Sequence, residues 1–207
     1  EPWVTTVAAS THNGQAFANA TKVNSPASLA GNLPSLEGAT TAPLTITGPV
    51  TSDLVAASPI DACAPIGPIG GKTALIMRGG CAFDVKLANA VNAGAGAALV
   101  FTNELAPGVE NPKTVMGGSG SFPIPGVMID NAPGAAIQAA LAAGTTVNVT
   151  LSAEVFIKEK IHGNIMAGFS SRGPFLTEQN WVKPDVTAPG VRVLAGHTPE
   201  PNDGSPG

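Results

Sequence analysis

The chain has 207 residues, enough for one substantial core or for one domain with attached pieces of another, and the second arrangement is the expectation. Charged residues make up only 12% and there are 25 Gly and 19 Pro, so turns and short strands should outnumber long exposed helices. A formal net charge of -4 leaves no basic footprint for nucleic acid or an anionic membrane, and no uninterrupted apolar run approaches the roughly 20 residues that span a bilayer.

In chain order, Trp3 to Ala9 is a run of small and apolar residues suited to a strand in a covered parallel sheet. Residues 13–40, rich in Asn, Ser, Gly, Ala and Pro with weak periodicity, read as a connector holding at most short strands. Leu44 and Ile46 alternate with Thr45 and Thr47, which predicts a half-buried strand opening a domain over residues 41–155, and Val50 to Ala57 continues the pattern. Thr73 to Met77 is a short apolar run between turn residues, one buried strand long. Phe83, Leu87, Ala90 and Val91 then fall three or four apart, the stripe of a helix with Asp84 in its first turn and Gly94 free to close it. Ala97 to Phe101 is the next strand, parallel to the first because a helical crossover returns the chain in the same direction.

Asn103 to Pro125 has no clear element and reads either as a solvated edge loop or as a mobile rim able to touch substrate, with Met116, Gly117, Gly118 and Phe122 as the rim residues. Gly126 to Ile129 is a short strand. Asp130 or Asn131 begins a helix through Ile137 and Leu141, with Pro133 in its first turn and Gly144 at its end. Val147, Val149 and Leu151 alternate with Thr146, Asn148 and Thr150, which makes a strand that closes the domain.

Cys63 and Cys81 flank the first strand of the central strand–helix–strand unit and can meet across a short loop, a bond contributing about 3 kcal/mol in the chain-entropy model. Two buried free thiols are the competing reading, and the close pairing of cysteines expected of a zinc or redox site is absent. Three isolated His and scattered acidic residues point to no metal and no cofactor. Two glycosylation sequons occur, at Asn19 and Asn148. Glu1 follows no initiator Met and no leader pattern, and the other end stops in a Pro- and Gly-rich loop, so excision at both ends is expected.

RGGCAFDVKLANAVNAGAGAALVF resembles the signature of protease-associated (PA) domains, with Arg78, Gly79, Cys81, Phe83, Lys86, Ala90, Ala93, Gly94 and Ala95 matching in order. The resemblance implies a mixed α+β, mainly β domain: an open β barrel or sandwich with two or more flanking helices, not itself catalytic. Such domains are inserted into secreted peptidases and sorting receptors. Of the matching residues, Arg78, Gly79, Phe83, Lys86 and Gly94 are taken as structural. The extracellular setting implied favours the bonded Cys63–Cys81 pair.

GFSSRGPFLTEQNWVKPDVTAPGVRVLAG resembles the subtilisin-like serine protease segment just before the catalytic serine, through Phe169, Ser170, Ser171, Gly173, Pro174, Asp185, Pro189 and Gly190. PWVTTVAAST resembles the strand that precedes it in that fold. The division implied is a subtilase strand at 1–12, the connector, the PA domain at 41–155, and a subtilase segment at 156–207. The prolines should make the FSS and APG stretches rigid bends, and the two serines should stabilise turns rather than attack substrate. His12, His162 and His197, with Asp53, Asp61, Asp84, Asp130, Asp185 and Asp203, are the parts from which a triad would be assembled. None stands in the family's catalytic settings, so no catalytic residue is assigned. The expectation is a non-catalytic insert of a secreted subtilisin-like endopeptidase that governs substrate access through protein or peptide contacts. The alternatives are a homodimerising interaction module and a purely structural insert. Neither nucleic acid nor membrane is an expected partner.

Overall fold

The computed structural model describes residues 4–106, 109–160, 163–167, 170 and 183–191. The chain divides into two compact units: residues Phe17–Glu159 form one, and the segments Glu1–Ala16 and Lys160–Gly207 on either side form the other.

The inner unit is mainly β. Its strands are β2 (Gln15–Ser25), β3 (Gly31–Glu37), β4 (Val50–Ala56), β5 (Thr73–Met77), β6 (Ala97–Phe101), β9 (Gly126–Ile129) and β10 (Asn148–Lys160), closed into a barrel in the order β10-β2-β3-β9-β6-β5-β4. The sheet is thus closed rather than open, because β10 pairs with both β4 and β2 and leaves no edge. Strands β4, β5, β6 and β9 run parallel, with Thr73 opposite Ala97 and Ala98 opposite Gly126. Helix α2 (Phe83–Asn92) is the crossover from β5 to β6, and α3 (Asn131–Ala142) links β9 to β10.

These parallel strands are apolar throughout because both faces are covered. Leu75, Leu99, Phe101, Val127 and Ile129 join one core with Val149, Leu151 and Ile137 of α3, whereas Ala74, Ile76, Ala98, Val100 and Met128 join the other with Leu87 and Ala90 of α2. Helix α2 buries Lys86 between those apolar neighbours and ends where Gly94 takes a φ of 73°. Helix α3 begins at the expected place, but Asp130 makes no side-chain capping bond; its carboxylate pairs with Lys113 instead.

Four further expectations are corrected. Residues 13–40 are not a connector: β2 and β3 form an antiparallel hairpin, Thr21 opposite Leu33, that supplies two barrel strands. Its buried side chains, Ala18, Ala20, Thr21 and Val23, are too small and mixed in polarity to register as an apolar alternation. Leu44–Thr47 is a short helix, α1, rather than a strand; the Pro43 carbonyl accepts from Ile46 and Thr47 N–H, which turns the chain and leaves Ile46 81% exposed. The stretch after β6 carries a hairpin of β7 (Glu104–Ala106) and β8 (Val109–Glu110). Beyond it the loop is tied down: Asp84 Oδ2 accepts from Ser119 N at 2.9 Å, Gly120 N at 3.2 Å and Ser119 Oγ at 3.3 Å. Met116 is fully buried in the second core, and Phe122 packs against it. Of the four rim residues, only Gly117 and Gly118 are exposed.

The outer unit contains β1 (Val7–Ser10) and β11 (Val186–Pro189), a parallel pair with Val7 opposite Val186. The fourth correction is here: Ala188 and Pro189 lie in a strand, not a bend. Proline is tolerated because it ends a strand of a two-stranded sheet, where its missing N–H interrupts nothing. Trp3 lies outside the described residues. Asp185 Oδ2 accepts from Thr6 N at 2.7 Å and from Lys183 Nζ at 2.6 Å, while Lys183 also donates to Val4 O at 2.9 Å. The Lys183 hydrogen bond, then that of Thr6, holds the Asp185 carboxyl below its ordinary value.

Three outcomes follow from this packing. A Cβ on Gly134 would stand 2.2 Å from Phe101 Cβ, so Gly134→Ala should lower stability by about 1–2 kcal/mol even though alanine favours helix by nearly as much; urea unfolding measures it. Asp84→Ala should cost about 1–2 kcal/mol and speed amide exchange at Ser119 and Gly120, read by mass spectrometry, with unchanged exchange the contrary result. Because Asp185 is depressed in the folded chain, its contribution is complete above the ordinary carboxylate pKa and lost as pH falls through the lowered one. Acid titration of the β1–β11 amide resonances should therefore show a step that Asp185→Asn removes.

Candidate functional site

The C-terminal ends of β5, β6 and β9 lie side by side, and the starts of α2 and α3 follow two of them. In a parallel sheet this edge collects the loops and helix N-termini, so the residues that leave the strands here, Arg78, Asn103 and Asp130, form the most chemically varied part of the inner unit.

Arg78 is the first residue beyond β5. Its Nη1 donates to Pro112 O at 2.8 Å and its guanidinium lies 5.9 Å from the centroid of the Phe83 ring. Burial pushes its pKa below the ordinary arginine value. Among the described residues Arg78 has no carboxylate partner. Gly79 follows with φ 104°, and a side chain there would meet the amide of Asn103 at 3.4 Å. Asn111 Nδ2 donates to Asn103 Oδ1 at 3.0 Å, and Asn103 Nδ2 to Glu104 O at 3.0 Å. The Lys113 side chain, 3% exposed, pairs with Asp130, and Asn131 Nδ2 donates to Thr102 O.

Three buried polar atoms of this region, Thr102 Oγ1, Asn111 Oδ1 and Asp84 Oδ1, have no hydrogen-bond partner among the described residues. Buried polar atoms are normally satisfied, within the protein or by ordered water. Asn103, Asn111 and Lys113 carry no sequence pattern that singles them out, and Asp130 is legible only as a helix start. The available signal was position alone: each adjoins the end of a predicted parallel strand or its following loop.

Beneath this edge, Cys63 and Cys81 are joined in a disulfide with Cα atoms 5.7 Å apart. Lys86 has no exposed surface and donates to the carbonyl oxygens of Asp61 and Gly79. Burial lowers its pKa and Asp61 raises it. Phe83 is half-buried against the second core, and Gly94 ends α2.

In the outer unit, Ser170 Oγ accepts from Ala9 N at 3.0 Å, which fixes β1. Gly190 N donates to Ser10 O at 2.9 Å. Phe169, Ser171, Gly173, Pro174, His162, His197 and Asp203 lie outside the described residues. His12 Nδ1 accepts from Gly14 N at 2.9 Å. Both sequon asparagines use their amides across strands, Asn148 toward Asp53 at 2.9 Å and Asn19 toward Glu37 at 3.5 Å. Among the described residues no three His, Cys, Asp or Glu gather as metal ligands, and no helix is long and apolar enough to cross a membrane.

The PA domain family model matches residues 47–137. The chain is 36% identical to the minor extracellular protease Vpr of Bacillus subtilis (strain 168) over 129 residues, 60% of this chain and 14% of that protein. It is 39% identical over 87 residues to the receptor homology region, transmembrane domain- and RING domain-containing protein 1 of Oryza sativa subsp. japonica, 40% of this chain and 16% of that one. With the subtilisin-like protease SBT3.11 of Arabidopsis thaliana it shares 32% over 77 residues, 37% of this chain and 10% of the relative. The chain thus spans at most 16% of the length of these relatives. The match falls on the barrel strands β4, β5, β6 and β9 with α2, and the polar edge belongs to that same segment. Residues 47–137 thus match the PA domain family, and relatives that share part of this chain include subtilisin-like proteases.

Proposed function

We propose that the inner unit is the non-catalytic insert of a secreted subtilisin-like serine endopeptidase and that it sets which protein substrates the enzyme accepts. Two features support this reading. The segments on either side of the insert, β1 and β11, pair directly with each other, so the inner unit interrupts the sequence of one sheet without supplying a strand to it. The observation that carries the reading is Arg78: a half-buried cation whose described hydrogen bond goes to one backbone carbonyl. A fork of five donors with one described bond suits the acidic side chain of an extended protein substrate.

Asp84 holds residues 119 and 120, so substrate selection works by complementarity to a preformed edge and not by closure of a loop. Contacts made this far along a chain are available to a folded protein or long peptide and not to a short one. One observation favours a second reading, an interaction module serving outside proteolysis: the rice relative that shares the domain is named for a RING domain rather than a protease.

The test uses the parent enzyme. Replacing Thr11–Lys160 by a short linker should spare kcat/KM for a small chromogenic peptide while changing the ranking of protein substrates. Arg78→Gln in the intact parent should lower kcat/KM by about tenfold for acidic protein substrates and leave the small peptide unchanged, the loss of one charged hydrogen bond. If both substrate classes fell together in proportion to lost folded enzyme, the insert would be a stability element and the selectivity reading would fail.

A further inference from the structure

Lys86 Nζ lies 3.4 Å from Cys63 Sγ. Its ammonium is enclosed by that sulfur and by the carbonyl oxygens of Asp61 and Gly79, each of which is itself 3.6 Å from Cys63 Sγ. A disulfide sulfur has no proton to donate, so the carbonyl approaches are contacts that crowd one flank of Cys63. The Gly79–Gly80 turn closes the enclosure: a Cβ on Gly80 would stand 2.9 Å from Cys63 Sγ and 3.0 Å from Asp61 Oδ2, at a φ of 80°. Both cysteines are half-buried, so the bond does not lie sealed in the core. The two sulfurs are chemically alike in sequence and unlike in surroundings, since the buried cation touches Cys63.

We propose that the Cys63–Cys81 bond is a thiol-exchange site of fixed polarity, attacked at Cys81 and released at Cys63. A small-molecule thiolate approaches Cys81 Sγ along the S–S axis and forms a new S–S bond there. The electron pair of the broken bond goes to Cys63 Sγ, which leaves as a thiolate beside the Lys86 ammonium or takes its proton. A second thiolate attacks the external sulfur of the mixed disulfide, which frees Cys81 and yields the oxidised small molecule, so two thiols are oxidised as one disulfide is reduced.

The polarity follows from charge and access. A leaving sulfur departs faster the more its thiolate is stabilised, and a cation in contact lowers a thiol's pKa. Three groups face Cys63: Lys86 from α2, Asp61 from the loop after β4, and Cys81. Asp61 opposes the effect, but its carboxylate is half-exposed, screened by water, and already accepts from Cys63 N at 3.1 Å. Lys86 is buried and in direct contact, where its field is least screened. Attack on Cys63 itself is hindered by the two carbonyls and by Lys86. Lys86 is a positioning residue in this scheme, acting through Cys63.

The experiment treats the oxidised full chain with glutathione, quenches with acid before the second exchange, and maps the adduct by peptide mass spectrometry. Glutathione should be found on Cys81 over Cys63 by about 10 to 1. In the fully reduced chain, the pH profile of iodoacetamide alkylation should lie lower for Cys63 than for Cys81. Lys86→Met should slow the first exchange by about tenfold and raise the Cys63 profile, with Lys86→Arg recovering most of the rate. If Lys86→Met does not fold, the adduct map and the two wild-type profiles decide the matter by themselves. Adduct on Cys63, an even distribution, or coincident alkylation profiles would overturn the proposal.

Discussion

The inner unit is built around a charge that water does not reach. An isolated ammonium in an apolar core would cost far more than a small domain has to spare, so Lys86 can be buried only where acceptors are fixed around it. Two backbone carbonyls from separate turns, Asp61 and Gly79, meet that requirement. The consequence is long-range: the loop after β4 and the turn after β5 must both come to the same point on α2. The disulfide between Cys63 and Cys81 spans the same two segments. Removing the charge would leave two buried carbonyls without a donor, and freeing either turn would leave the charge without acceptors.

With that point fixed, the parallel strands follow a simple packing logic. Strands β5, β6 and β9 carry apolar side chains on both faces because α2 covers one face and the rest of the barrel with α3 the other. Close approach then fixes the small residues. Gly134 sits against Phe101, and Gly96 against the backbone oxygen of Gly71, where a Cβ would stand 2.4 Å away. Those glycines serve contact rather than conformational freedom.

What could be read from the sequence divides along physical lines. The β5–α2–β6 unit was legible because two periodicities, continuous apolar and three-to-four spaced, stood between turn residues; so was the strand carrying Val147, Val149 and Leu151. The β2–β3 hairpin was not, since a barrel wall made of Ala18, Ala20, Thr21 and Val23 has no hydrophobic contrast with Asn19, Lys22 and Asn24. Leu44 and Ile46 alternate as a strand would, yet one is buried and the other exposed, because Pro43 starts a turn of helix there. Met116 was read as rim from its glycine neighbours, while its own side chain fills the second core. The polar edge was least legible: the Asn103–Asn111 and Lys113–Asp130 pairs form only after the strands have been laid side by side, and no local spacing encodes them.

The same division explains why the family signature speaks clearly about architecture and faintly about activity. Gly79 accommodates the turn next to Asn103, Cys81 is bonded to Cys63, Phe83 packs into the second core, Lys86 is enclosed by carbonyls, and Gly94 ends a helix. Each of these residues is used internally, so a chain that keeps them keeps the fold whatever it touches. Arg78 differs. Its aliphatic stem and its bond to Pro112 belong to the fold, but most of its guanidinium donors are not needed there. A residue that is half committed to structure and half available can be retained for the first reason and used for the second. That is why selectivity would be tuned by what surrounds Arg78, chiefly the loop from Asn103 to Lys113, while the enclosed lysine and the barrel beneath stay the same.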